Sequence, residues 1–443
     1  MLFRHRIYSL IMISSKSNNG INGTPIIPGD KSISHRSIII PSISNGICEV
    51  ENLLNSDDVN NTVKAFKDMG VKIEKSQNKT IIYGKGLNSL KKPAHEIYLG
   101  NSGTSARLLM GLLSSQNFNA VLSGDKSLSS RPMERITNPL KQMQAEFDTN
   151  NGILPIKILG KKLSGTEIEI KIPSAQIKSG LLLASLNARG TTVIKESRIT
   201  RNHTEIMLKS FEADININKE DNRNIIIVKG QKELKSKNIS VPCDLSSSSF
   251  FIVACLINKN SKINLEKINI NSTRNGILIA LKKMGAKILY KNKRKINNEE
   301  ICDMEIESSN LNGCILEESM ADLMIDEYPI LAVAAAFANS PSIFKGLGEL
   351  KVKESNRLEL IEKNLTKCGV KCEVKTNDLY IYPSNNYQIK DENIETNFDH
   401  RIAMAFSVMG SKIGPLKIND AESINTSFPN FKNIFNKHGG NLY

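Results

Sequence analysis

The sequence predicts a mixed α/β protein of two domains, each with apolar helices at its centre and β-sheets outside. Three observations carry this. A helical run closed by Gly or a stand-in, then a short β-like segment, recurs six times, closing at Gly70, Gln144, Glu212, Gly285, Gly369 and Gly439. Helical runs at Leu108–Leu113, Gly180–Leu186, Phe250–Ile257, Ile330–Phe337 and Ile402–Val408 are apolar nearly all round, so each belongs inside a domain. A turn at Val241-Pro242-Cys243-Asp244 follows the third copy and divides the six into two sets of three.

The closing positions lie 68 to 84 residues apart, too long a period for a solenoid and enough for two helices and about four strands. Glycine after a helix whose last turn is basic, as in Lys282-Lys283-Met284-Gly285, is a C-cap. Only glycine takes the left-handed turn without strain, and the cations suit the helix dipole. The Val71-Lys72-Ile73 alternation after Gly70 reads as an edge strand. We expect residues 1–30 with 244–443 to form one discontinuous domain, the N-terminal stretch donating a strand to it, and residues 31–243 the other, with the active site in the cleft between them.

A chain of 443 residues exceeds what one core serves, and 40% hydrophobic with 23% charged residues is a globular composition. No stretch approaches the roughly 20 apolar residues of a membrane span, and a cytoplasmic location is expected. Met1–Ser15 has a short, broken apolar run and no small-residue cleavage pattern; we read it as a disordered extension, with Met12 an alternative start. The seven cysteines are scattered without paired metal-ligand spacing, which predicts reduced structural thiols and no metal. A net charge of +14 would suit nucleic acid, but there is no Trp, 5% aromatic residues and no basic tract. Small acidic substrates, or a compositional bias, account for it better.

Along the chain, Ile26-Ile27 reads as a strand ended by Pro28-Gly29, and Asp30–Arg36 then runs into an apolar helix. Lys31, Ser32 and Arg36 thus sit at a helix N-terminus, where unpaired N–H groups and the dipole favour an anion. An ordinary capped helix is the plain alternative here and at each following passage. Leu99-Gly100-Asn101-Ser102-Gly103 is a second passage, whose glycines admit close approach of a ligand. Arg131 stands before Pro132, and Pro173-Ser174-Ala175-Gln176 is a third passage, with Ser174 and Gln176 suited to a polyol. Asp326 and Glu327 lie at the mouth of an apolar helix, where burial would carry an Asp towards acid–base use. Lys353, Glu354 and Arg357 stand at another entrance, the last two sharing a helix face. Arg401 occupies a first turn, which the dipole disfavours unless an anion is near. Were these entrances to converge, they would hold a highly anionic substrate pair by electrostatics, without a metal.

In PGDKSISHR (28–36), LGNSGTSARL (99–108), GDKSLSSRPM (124–133), PSAQIKSGLLLA (173–184), TRNHTE (200–205), IDEYP (325–329), KVKESNRL (351–358) and DHRIAMAF (399–406), the chain resembles the enolpyruvyl transferase family. The resemblance implies two domains, each an inverse α/β barrel of three βαββαβ units. It implies transfer of the enolpyruvyl group of phosphoenolpyruvate to the 5-hydroxyl of 3-phosphoshikimate by a monomer without cofactor or metal. Glyphosate would fit the phosphoenolpyruvate site, where Gly103 leaves room. By the same likeness, Lys31, Ser32, Arg36, Ser174, Gln176, Thr200, Asp326 and Lys353 surround 3-phosphoshikimate. Lys31, Gly103, Arg131, Gln176, Arg357 and Arg401 hold phosphoenolpyruvate, and Lys31, Asp326 and Glu354 are catalytic, the two carboxylates as proton carriers. Three positions depart: Thr200 where many members have Ser, Thr426 where some have Lys, and Ala175 in place of a hydroxyl residue.

Other members of the superfamily fit less well. UDP-N-acetylglucosamine enolpyruvyl transferases use a loop cysteine that residues 124–136 lack. RNA 3′-phosphate cyclases need a His nucleophile and nucleotide contacts. A basic RNA-binding protein would explain the charge but not the matched entrances.

Overall fold

The structure is a computed structural model that describes residues 10–220, 223–384 and 387–443; the expectation for residues 1–9 lies outside them. The chain forms two compact units: Pro28–Cys243 with Arg294–Ile301, and the residues up to Ile27 with Asp244–Lys293 and Cys302–Tyr443. The division falls just before Pro28 and not after residue 30 because Gly29 pairs with Cys243 and the Asp30 N–H donates to Pro242 O at 2.8 Å.

Among the described residues each unit carries three small sheets, and the five four-stranded ones share an order. A short strand runs parallel to a second one, as Ile97–Tyr98 does to Ala120–Ser123 with Ile97 opposite Leu122. An antiparallel hairpin such as Glu146–Asn150 and Ile153–Leu159 follows, and its first strand forms the edge. The helix between the paired strands is the buried one. One face of each sheet packs inward, as the exposed–buried alternation of Glu167–Ile170 shows. The first sheet of the Pro28–Cys243 unit takes its short strand from the far end of that segment, Ile239–Ser240 lying parallel to Asn45–Glu51.

All six closing positions of the repeat adopt the left-handed turn, with φ of +85° at Gly70, +73° at Gln144, +64° at Glu212, +87° at Gly285, +79° at Gly369 and +105° at Gly439. Gln144 and Glu212 adopt it despite their Cβ, so the turn is fixed by the fold and not by glycine alone. Six central helices are buried on nearly every side: Lys31–Ser42, Gly103–Ser114, Ala175–Ser185, Leu245–Ile257, Tyr328–Ala336 and His400–Ile413. All the cysteines but half-buried Cys243 are buried, and burial pushes Cys48, Cys255, Cys368 and Cys372 up to about 12, which leaves them inert as thiolates.

Two expectations need correction. Met12–Ser14 is no disordered tail: it pairs antiparallel with Leu416–Ile418, and buried Ser14 donates from Oγ to Ser407 O at 2.7 Å. Ile26-Ile27 is not a strand; the strand there is Asn22–Gly23, parallel to Lys262–Asn269, and Ile26 is 75% exposed.

Helices Gly103–Ser114 and Ala175–Ser185 meet backbone to backbone, since a Cβ on Gly111 would lie 1.9 Å from Gly180 O. Gly111→Ala is therefore expected to lower the unfolding free energy by roughly 3 kcal/mol in chemical denaturation. An unchanged midpoint would show that the two helices are not held at this spacing.

Candidate active site

In the Pro28–Cys243 unit, three helix N-termini are tied to one another. Asp30 caps the first by accepting the Ile33 N–H at 2.9 Å, and Ser102 caps the second by accepting the Ser105 N–H at 3.1 Å. Ser174 caps the third, with Ile177 N at 3.4 Å. None of these helices has an acidic residue in its first turn. Lys31 reaches Asp58 Oδ2 at 2.5 Å and keeps 17% of its side chain exposed, with half-buried Ser32 beside it.

Gly103 opens the second helix, and two guanidiniums converge on it. A Cβ there would lie 2.8 Å from Arg107 Nη1 and 3.0 Å from Arg131 Nη1. Arg131 donates to Asn101 Oδ1 and to Ser127 Oγ, the latter at 3.2 Å. Arg107 donates to Gln176 Oε1 at 3.0 Å, and Gln176 Nε2 donates to Thr104 Oγ1 at 3.0 Å. The structure thus brings Gly103, Arg131 and Gln176 together and adds Arg107 and Asn101, which the sequence reading did not single out. The signal for Arg107 was present: it lies four residues after Gly103, on the same helix face.

Arg36 and Thr200 are differently placed. Arg36 is 3% exposed and donates to Thr204 Oγ1 (2.6 Å), Ser179 Oγ (2.7 Å) and Ser32 O (2.7 Å), so it clamps the entrances together. Burial brings its guanidinium down to about 10. The Thr200 hydroxyl, expected to meet a phosphate, donates to Glu196 Oε1 at 2.5 Å. The Thr200 carbonyl accepts from Lys178, a fully buried lysine between Glu196 (3.0 Å) and Glu205 (2.7 Å). Behind Lys31, a hydroxyl chain runs from Ser102 through Ser105 (2.8 Å) and Thr62 (2.7 Å) to His35 Nδ1 (2.8 Å). Burial, then Lys31 and Arg36, pull His35 well below its usual range.

In the other unit the centre is Arg357, whose side chain is fully buried. It meets Asp399 with Nε at 2.8 Å from Oδ2 and Nη2 at 3.3 Å from Oδ1, Glu354 Oε2 at 2.5 Å and Asp326 Oδ1 at 3.2 Å. Burial works against its charge, but the three carboxylates outweigh that and raise its pKa above the usual arginine value. Asp399 also caps His400–Ile413 by accepting the Arg401 N–H at 2.9 Å. Arg401 Nη1 donates to Asp326 O at 3.3 Å. Asp326 and Glu354 keep 17% and 24% of their side chains exposed and so remain reachable. Lys353 is half-buried immediately before Glu354. Thr426 Oγ1 donates to Ser423 O (2.8 Å) and lies 3.3 Å from His400 Nδ1, which puts it at the entrance of the Arg401 helix. The plain surface ion pair between Glu354 and Arg357 is excluded by the burial of Arg357, and Asp399 joins the residues the sequence reading passed over.

A family model described as EPSP synthase (3-phosphoshikimate 1-carboxyvinyltransferase) matches residues 16–435. Proteins named 3-phosphoshikimate 1-carboxyvinyltransferase from Ruthia magnifica subsp. Calyptogena magnifica and Oenococcus oeni are 43% and 42% identical, over 96% and 95% of this chain and 98% and 96% of theirs. A solved structure of EPSP synthase from Acinetobacter baumannii is similar over 98% of this chain and 99% of its own, with 39% identity and a TM-score of 0.85.

Two outcomes are expected. Gly103→Ala pushes only the far ends of two flexible arginines, so the fold should persist while phosphoenolpyruvate binds at least about tenfold more weakly. An unchanged Michaelis constant would remove Gly103 from the site. His35 takes up a proton on unfolding that the folded chain refuses, so its contribution is complete above the ordinary pKa of about 6.5 and is lost as pH falls below it. Between about pH 7 and 5, stability should fall more steeply in the wild type than in His35→Asn, by up to about 1.4 kcal/mol per pH unit. Equal slopes in urea titrations would show that protons reach His35 in the folded state.

Proposed function

The chain belongs to the EPSP synthase family, and on that premise we propose how its residues divide the work of the reaction. The reaction is enolpyruvyl transfer in the shikimate pathway: the 5-hydroxyl of 3-phosphoshikimate adds to phosphoenolpyruvate, and phosphate leaves. Phosphoenolpyruvate is a poor electrophile until its methylene carbon gains a proton and the adjacent carbon takes on oxocarbenium character. Glu354 supplies that proton. Asp326 accepts the proton of the attacking hydroxyl, and a tetrahedral adduct forms. Glu354 then takes a proton back from the new methyl group as the phosphate departs with the hydroxyl proton, which restores both carboxylates.

The observation that supports this division is the shared Arg357, bonded to Asp326 at 3.2 Å and Glu354 at 2.5 Å. A proton leaving one carboxylate as another joins its neighbour keeps the charge around Arg357 constant through the addition. Lys31, Arg131, Arg357 and Arg401 answer the phosphates and carboxylates of the substrates, with charge placed in advance of reaction. Ser32, Ser174, Gln176 and Lys353 hold the ring hydroxyls and phosphate of 3-phosphoshikimate. Arg36 contributes through the Ser32 carbonyl it fixes, and Thr200 gives its hydroxyl to a phosphate only by releasing Glu196. The enzyme works as a cytoplasmic monomer, without a nucleic-acid partner.

Phosphate release measured with both substrates, and with each omitted, tests the activity: release is expected only with both. Glu354→Gln should lower kcat by about 10²- to 10⁴-fold with Michaelis constants changed far less. Arg131→Ala should raise the phosphoenolpyruvate constant roughly thirtyfold, the loss of about 2 kcal/mol from a charge-assisted contact. Full turnover in Glu354→Gln would end the assignment of the proton donor.

A further inference from the structure

Glu327, at the entrance of Tyr328–Ala336, is 1% exposed. Its Oε1 accepts from Ser246 Oγ, whereas Oε2 has no hydrogen-bond partner among the described residues. A buried carboxylate with an unpaired oxygen is costly unless a cation compensates it. Two guanidiniums flank it. Arg274, 2% exposed, donates to Ser246 Oγ at 2.5 Å and is directly paired with Asp244 Oδ1 at 2.8 Å. Arg401 Nη1 lies 3.9 Å from Glu327 Oε1, close enough for attraction but beyond a hydrogen bond. The same Nη1 donates to the Asp326 carbonyl at 3.3 Å.

We propose that Glu327 is a positioning residue for phosphoenolpyruvate binding: its buried charge, fixed by the Ser246 hydroxyl, draws the Nη1 side of Arg401 against the protein and turns the rest of the guanidinium towards the substrate. The proposal rests on the reading of Arg401 as a phosphoenolpyruvate contact. An arginine held in its binding orientation loses less freedom when the anion arrives, so the gain appears as affinity. Glu327 touches no substrate itself.

Glu327→Gln keeps the shape and an acceptor for Ser246 and removes the charge. The Michaelis constant for phosphoenolpyruvate is expected to rise about tenfold, with that for 3-phosphoshikimate and the thermal midpoint nearly unchanged. Arg401→Ala should raise the same constant further, and the double variant should be no worse than Arg401→Ala alone, because Glu327 acts only through Arg401. Multiplying losses in the double variant, or a parallel decline of kcat, both constants and the midpoint in Glu327→Gln, would overturn the proposal and leave a structural role. If Arg401→Ala left the constant unchanged, the assignment of Arg401 itself would fall, and this inference with it. Should Glu327→Gln not fold, Ser246→Ala releases the carboxylate by a smaller change and should shift the same constant upward; no shift would count against the proposal.

Discussion

Within each unit, the positive ends of three apolar helices are held close together, and this crowding is the constraint on which the chemistry depends. Like dipole ends repel, so the arrangement persists only because buried side chains cross-link the entrances. In one unit Arg36 reaches Ser179, Arg107 reaches Gln176, and His35 joins the chain of Thr62 and Ser105. In the other, Ser246 donates to Glu327, and Arg401 donates to the carbonyl of Asp326. The entrances opened by Ser102 and Ser174 have neither an acidic cap nor an acid in the first turn, whereas Asp30, Asp244, Glu327 and Asp399 stand at the other four. At those two the positive potential is left for an anionic substrate.

Two buried arginines solve opposite problems within that frame. Arg36 is surrounded by hydroxyls and a carbonyl, and burial lowers its pKa. Such an arginine fixes geometry. Arg357 is surrounded by three carboxylates that raise its pKa despite burial. Such an arginine is locked as a cation and organises acids around itself. The second arrangement gives the two candidate proton carriers a common partner and leaves them partly exposed, which a reacting carboxylate needs.

Much of this was legible along the chain. The left-handed turns at Gly70, Gly285, Gly369 and Gly439 follow from a local pattern of helix, glycine cap and edge strand, while Gln144 and Glu212 are held in the same turn by the fold. Gly103, Arg131 and Gln176 come together in one unit, and Asp326, Glu354, Arg357 and Arg401 in the other, all of them from stretches that the sequence singles out. What went unread was partnership. Asp58, Asn101, Arg107, Asp399 and Glu327 lie beside recognised residues in space, yet nothing local says which group each one faces. Met12–Ser14 looked like a loose tail because its partner strand, Leu416–Ile418, lies some 400 residues away.

The sequence by itself determined the central helices and their glycine-capped ends, because periodicity and capping act within a few residues. Only the tertiary structure decided that Asp326, Glu354 and Asp399 share Arg357, and that Thr200 gives its hydroxyl to Glu196. The physical reason is that an ion pair depends on distance in space. Burial then fixes which partner a charged group must take, because an unpaired charge there costs too much to leave.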